Sequence, residues 1–132
     1  MAKFKVVTPA GVSFTVAGGG YDLEMEALSA IDAEIVEIPA GSENEFIAAA
    51  HDADALYAKG RQITKRMIDG LERCKVIACG SVGVDYVDVA AATAKGIPVT
   101  NVPDTFIEEV AEHTVTLMLA SWRHLVVQDD LV

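Results

Sequence analysis

Apolar residues fall into short clusters along the chain, separated by longer stretches with helical spacing. Phe4-Lys5-Val6-Val7-Thr8 is a β-prone run closed by Pro9; Val12 to Ala17 is a second, closed by Gly18-Gly19-Gly20. Glu34-Ile35-Val36-Glu37-Ile38, ended by Pro39, and Ala55-Leu56-Tyr57-Ala58 read as strands. Lys75-Val76-Ile77-Ala78-Cys79 is the strongest strand signal, and Ile97 to Val102 is a strand with Pro98 at its entry, where a missing donor is tolerable. Between these runs the pattern predicts helices. One covers Glu24 to Ile31, capped by Asp22, and one covers Glu43 to His51, where Ser42 and Glu45 spell a capping box. A third runs from Lys65 to Arg73 behind Thr64, and a fourth from Val87 to Lys95 stops at Gly96.

The last predicted helix runs from about Phe106 to about Leu125. Thr105 is its expected cap, Glu108 closes a box, and Arg123 and His124 sit at its C-terminus. Val110, Ala111, Val115, Leu117, Met118, Leu119 and Trp122 leave it little polar surface. A helix apolar on several faces must be covered on several faces, and one small sheet covers only one. Helix 106–125 is therefore expected to pack on another domain or subunit, making a homo-oligomer the expected state.

Five strands alternating with helices imply right-handed crossovers: an α/β, doubly wound parallel five-stranded sheet with helices on both faces. At 132 residues the chain has the length of one domain, and one such domain rarely houses both a dinucleotide site and a substrate site. Hydrophobic residues make up 52% and charged residues 23%, the balance of a globular chain. The formal net charge of −10 argues against a nucleic-acid partner. No run of ~18 apolar residues suggests a membrane span, and the N-terminus reads as a strand rather than a signal peptide. Cys74 and Cys79 are too few for a disulfide scaffold, so a cytoplasmic protein with free thiols is the simplest expectation.

Two glycine-rich segments are candidate ligand loops. Gly18-Gly19-Gly20 follows a β-prone run, and Glu37 lies nearly twenty residues on, which outlines a dinucleotide fingerprint. Position 23 is Leu rather than a third glycine, and Asp22, Glu24 and Glu26 would meet a phosphate with like charge, so a turn before a helix is the better reading. Gly80-Ser81-Val82-Gly83-Val84-Asp85 follows the strongest strand and precedes a helix. Ligands of parallel sheets bind outside the carboxyl ends of strands, and a loop of small residues there exposes amides that form an anion nest. It matches neither G-x-G-x-x-G nor a P-loop, so a small-anion cradle and a plain tight turn both remain open. A phosphoacceptor receiver domain is disfavoured because the first strand ends Val7-Thr8-Pro9, without paired acids. A flavin-phosphate site is disfavoured because Thr8 to Ser13 is poor in hydroxyls.

The histidines invite plain readings. His51 and His124 sit at helix ends. His113 lies four residues after Glu109, where a structural hydrogen bond is expected and no third metal ligand is suggested. Cys79, ending a strand, is read as structural before reactive. Six of the ten basic residues lie between Lys59 and Lys75; of these, Lys59 and Arg61 follow the third main strand's carboxyl end and are positioned to meet an anionic ligand.

From Asp54 to Arg123 the chain resembles the D-isomer-specific 2-hydroxyacid dehydrogenase family. The echoes are Lys75-Val-Ile-Ala-Cys-Gly-Ser-Val-Gly-Val-Asp85, Ala92-Thr-Ala-Lys-Gly-Ile-Pro-Val-Thr-Asn-Val-Pro103 and Glu108-Glu-Val-Ala-Glu-His113, in the family's order and spacing. The resemblance implies a flavodoxin-like substrate domain over residues 1–105, followed by an interdomain and dimerisation helix with its tail over 106–132. It implies NAD as cofactor of the intact enzyme, bound in a Rossmann domain whose fingerprint these residues do not match, and a small 2-hydroxy or 2-oxo acid as substrate. Val82 and Gly83 match the loop whose amides hold the substrate carboxylate, Asn101 matches an asparagine near the substrate, and Lys59 falls where several members carry a basic residue. The family's catalytic arginine, acid and histidine have no counterpart here, so no catalytic residue is assigned and the chain is expected to be inactive alone. Cys79 stands where arginine is common, and Tyr86 where asparagine is common. The alternative is a non-enzymatic flavodoxin-like module that self-associates through helix 106–125.

Overall fold

A computed structural model of the chain describes residues 3–10 and 20–131. The expected run Val12 to Ala17 and the glycines Gly18 and Gly19 lie outside the described residues. Strand β1 (Phe4–Pro9) is followed by helix α1 (Asp22–Ala27) and β2 (Ala33–Ile38). Helix α2 (Glu43–Ala50) leads to β3 (Ala55–Ala58), and α3 (Lys65–Asp69) to β4 (Val76–Cys79). The chain continues through α4 (Val89–Ala94), β5 (Val99–Thr100), α5 (Ile107–Trp122) and α6 (Leu125–Asp129).

The five strands form one sheet in the order β2-β1-β3-β4-β5, every described pairing parallel. The order reverses at β1, whose neighbours are β2 and β3, creating the switch point where open α/β sheets bind ligands. Strand alternation separates two faces. Val7, Leu56 and Ile77 join Phe46 and Ala50 of α2, Met67 and Ile68 of α3, and Ala91 and Ala92 of α4 in one buried core. On the other face lie Val6, Ala55, Tyr57, Val76 and Ala78, and α1 covers them incompletely: a cavity of about 480 Å³ opens between Ala27, Leu28 and Ile31 and the sheet. The expected doubly wound fold with helices on both faces is present, with one face much more fully packed.

Local signals explain most helix ends. Ser42 accepts from the Glu45 amide while Glu45 accepts from the Ser42 amide, the predicted box. Thr64 caps α3 through the Met67 amide, and Asp88 caps α4 through the Ala91 amide. The third helix stops at Asp69 rather than Arg73: Gly70 is its C-cap, and Lys95 donates to the Ile68 and Asp69 carbonyls at 2.8 and 2.6 Å, taking up acceptors the helix leaves open. Gly96 follows α4 at φ +75°, the left-handed position expected of it.

Five expectations are corrected. Asp22 is the first residue of α1 rather than its cap; Tyr21 takes the cap position without a side-chain bond, and the helix stops at Ala27. The fourth helix starts at Val89, not Val87, because Val87 pairs with Ile63 in an isolated bridge. The fifth strand is cut to Val99–Thr100, since Asn101 and Val102 turn to bond the loop after β4. The Thr105–Glu108 box does not form, because Phe106 caps α5 at φ 64° whereas a capping side chain needs extended backbone. The long helix is also divided at His124, whose φ of 52° separates α5 from α6. Every described residue of α5 and α6 is exposed except Ala120, which is half-buried; Trp122 is 80% exposed. Among the described residues, no helix is long and apolar enough to cross a membrane, and Cys74 and Cys79 are free thiols.

The N-terminal edge of the sheet is held by one buried carboxylate. Asp54 accepts from the Lys5 amide at 3.1 Å and from Arg73 Nη2 at 2.9 Å, with Lys75 Nζ at 3.6 Å. These groups, the Lys5 amide foremost, hold its carboxyl below the usual carboxylate range. Folding therefore favours the charged form; its contribution is complete above the unfolded value of about 3.9 and is lost as pH falls through the depressed folded value. Asp54→Ala leaves the Lys5 amide without this acceptor and is expected to cost about 1–3 kcal/mol in urea melts at pH 7. The gap to wild type should narrow as the melts are repeated toward pH 3.

Candidate functional site

Parallel pairing of Ala58 with Cys79 brings the carboxyl ends of β3 and β4 side by side. Lys59 leaves β3 and its side chain, 15% exposed, folds back between two rings. Its ammonium lies 4.5 Å from the Tyr57 ring centre, 4.6 Å from that of Tyr21, and 3.9 Å from Glu24 Oε1. Cation–π contact on two sides and a loose ion pair fix a charge that would otherwise range through solvent. Burial raises the Tyr57 phenol pKa, and the Glu24 charge adds to the rise. Burial and the hydrogen bond donated to Glu37 push Tyr21 up to about 12. Both phenols are neutral donors at physiological pH.

The loop from Gly80 to Asp88 forms the opposite wall. A Cβ on Gly80 would stand 2.8 Å from the Tyr57 hydroxyl and 3.0 Å from its ring, so only glycine lets this ring lie against the loop. Ser81 Oγ donates to the Gly83 carbonyl at 2.7 Å and lies 2.8 Å from the Tyr86 hydroxyl, which is 3.3 Å from the Ala58 carbonyl. Together with Glu24, Tyr57, Lys59 and Gly60, Gly80, Ser81 and Tyr86 enclose a pocket of about 230 Å³.

Residues after β5 fasten the outer side of the loop. Asn101 Nδ2 donates to the Val82 carbonyl at 2.7 Å, and the Val102 amide donates to the Ser81 carbonyl at 3.1 Å. In a trans peptide the following N–H points opposite to the carbonyl, and among the described residues no peptide is cis. Drawing the Ser81 and Val82 carbonyls toward the β5 exit turns the amides of Val82 and Gly83 the other way. Among the described residues, neither amide has a protein acceptor.

The four residues singled out from sequence thus fall into two groups joined through Ser81. Lys59 is in the pocket; Val82, Gly83 and Asn101 form the adjoining loop clamp. Arg61 is corrected: it donates to the Gly41 carbonyl at 2.8 Å and lies over the Phe46 ring instead of facing the pocket. His113 is exposed, and the side-chain bond α5 makes is from Thr114 to the Val110 carbonyl rather than between Glu109 and His113. Cys79 is buried at the end of β4. No cluster of three potential metal ligands occurs among the described residues. The start of α1 does not suit a dinucleotide, because Asp22 and Glu24 occupy its first turn. Sequence reading missed Tyr21, Glu24 and Tyr57 as parts of this pocket; Glu24 read there only as one of the acids that would repel a phosphate at the start of α1.

The family model for the D-isomer specific 2-hydroxyacid dehydrogenase catalytic domain matches residues 19–123. The chain belongs to this family. A D-3-phosphoglycerate dehydrogenase of Methanocaldococcus jannaschii is 44% identical over 92 residues, 68% of this chain and 18% of that protein. A glyoxylate reductase of Pyrococcus furiosus is 35% identical over 97 residues, 73% of this chain and 28% of the relative. The chain therefore spans less than a third of the length of either relative. Among solved structures, a Pyrococcus horikoshii OT3 protein superposes with a TM-score of 0.76 at 29% identity, over 98% of this chain and 36% of that one. D-lactate dehydrogenase from Aquifex aeolicus, complexed with NAD and lactic acid, gives 0.65 at 27% identity over 87% of this chain and 33% of that one.

For this 2-hydroxyacid dehydrogenase domain, Gly80→Ala is expected to displace the Tyr57 ring and destabilise the fold by about 1–3 kcal/mol. Chemical denaturation measures the loss, and a chemical shift change at the Tyr57 ring protons reports the displacement.

Proposed function

We propose that the chain is the substrate-binding part of an NAD-dependent D-2-hydroxyacid dehydrogenase and holds the carboxylate of a small 2-hydroxy or 2-oxo acid. The observation that carries this reading is the pair of unpartnered amides at Val82 and Gly83, turned outward by the grip of Asn101 and Val102 on the preceding carbonyls. Amide pairs of this kind bind anions without a formal positive charge. Lys59, held beside the loop, adds the local cation in a chain of net charge −10. Asn101 acts here by holding the loop, a positioning role. The relatives carry the names of enzymes for phosphorylated and unphosphorylated acids, and the common class, a 2-hydroxy or 2-oxo acid, is the one read here.

In the complete enzyme NAD, when bound, exchanges a hydride with the substrate. These 132 residues bind and orient the acid, and by themselves are not expected to turn it over. Free Cys74 and Cys79 support a cytoplasmic setting. The division into a domain over 1–105 and a helical segment over 106–132 is supported by the buried core, to which no described residue beyond Val99 contributes. Exposure of Leu117, Met118, Leu119 and Trp122 supports homo-oligomerisation through residues 106–125. The same exposure favours the second reading, a self-associating flavodoxin-like module without enzymatic activity.

Addition of D-lactate or oxalate to 15N-labelled protein should shift the Val82 and Gly83 amides, and Asn101→Ala should weaken that binding about 10-fold while the protein stays folded, consistent with a loss of roughly 1.4 kcal/mol. Unchanged amides with tight self-association favour the module. NADH oxidation with glyoxylate, pyruvate and hydroxypyruvate should stay at background for these 132 residues. Sedimentation should find a dimer or larger species, and Leu117→Glu with Trp122→Glu should return it to monomer; a wild-type monomer at high concentration contradicts the helix reading.

A further inference from the structure

We infer that Glu24 sets the charge of the ligand this site accepts, so that the pocket beside the cradle takes the uncharged end of a short monocarboxylate and rejects a phosphorylated one. The inference rests on the carboxylate reading of Val82 and Gly83 and specifies the other end of the same ligand.

Among the described residues lining the pocket, Lys59 is the single cation and Glu24 the single anion. Their separation of 3.9 Å makes the pair an ion pair too long for a good hydrogen bond, so the pocket is nearly neutral while keeping a carboxylate on its wall. Arg61, the other cation near the end of β3, is committed to the Gly41 carbonyl and the Phe46 ring. Recognition of a phosphate dianion draws on arginine forks or several cations, and here one ammonium is already shared with a carboxylate and two rings. A phosphate entering would also face the Glu24 charge at short range in a partly dehydrated pocket, where repulsion is stronger than in bulk water. A hydroxyl or methyl group meets no such opposition. The hydroxyls of Tyr57, Tyr86 and Ser81 offer it polar partners, and the enclosed volume of about 230 Å³ suits a ligand of a few heavy atoms.

Glu24 is on α1, contributes nothing to the buried core and is partly exposed, so Glu24→Gln is expected to stay folded, which its amide spectrum checks. The test compares D-glycerate with 3-phospho-D-glycerate, two acids alike except for the phosphate, by titrating each into 15N-labelled protein and following Val82 and Gly83. Wild type should bind D-glycerate at least 10-fold more tightly. In Glu24→Gln that preference should shrink at least 10-fold, mainly through tighter binding of the phosphorylated acid. Equal or tighter binding of 3-phospho-D-glycerate by wild type overturns the inference and leaves the carboxylate reading standing. So does an unchanged preference in Glu24→Gln. If neither acid moves the two amides at millimolar concentration, the carboxylate reading fails and the inference fails with it.

Discussion

The site depends on the parallel pairing of β3 with β4, Ala55 against Val76 through Ala58 against Cys79. Parallel strands end at the same edge of a sheet, so two loops far apart in sequence leave the sheet together. Lys59 leaves one strand and Gly80 the other, and Tyr57 spans the gap because Gly80 has no side chain to hold it off. A slip of one residue in this register would turn Tyr57 toward the opposite face and separate the lysine from its aromatic walls. The chemistry of the pocket is therefore fixed by strand pairing before any loop conformation is chosen.

A second layer comes from β5. It is short because its continuation serves the loop instead of the sheet: Asn101 and Val102 spend their donors on Val82 and Ser81. One side-chain donor and one backbone donor together fix the orientation of two peptide groups. Stability also lies unevenly across the fold. Three helices bury one face of the sheet, while a six-residue helix partly covers the other, and the pocket lies on the thinner side where Glu24 can reach it. Backbone groups positioned by a rigid sheet and a side chain positioned by a short helix meet there, which combines precision with room to vary.

Much of this was legible in the chain. Ala55 to Ala58 appears as a strand with the predicted bounds, and the Ser42–Glu45 box forms as written, because both signals are local. Val82, Gly83, Lys59 and Asn101 were singled out from the loop after the strongest strand and from family resemblance, and they lie at or beside the pocket and its loop. Glu24 and Tyr21 were not, because their meaning depends on α1 folding over the end of β3, a contact between residues more than thirty positions apart that leaves no mark in local spacing. Arg61 failed for the same reason: its partners at Gly41 and Phe46 belong to a different stretch of chain. Thr105 and Glu108 have the letters of a capping box, yet the left-handed Phe106 denies them the backbone it needs.

Helix α5 has a thermodynamic consequence of its own. With almost no residue buried, its 16 residues draw on helix propensity rather than on the core, and a helix of roughly that length is only marginally stable in water. Its amides should therefore exchange with solvent through openings far shallower than global unfolding, while those of β1, β3 and β4 wait for the whole sheet to open. Slow exchange in α5 would mean that another surface has closed over it. The helix thus acts as a gauge of assembly, reading in its own protection how much of its apolar surface has found a cover.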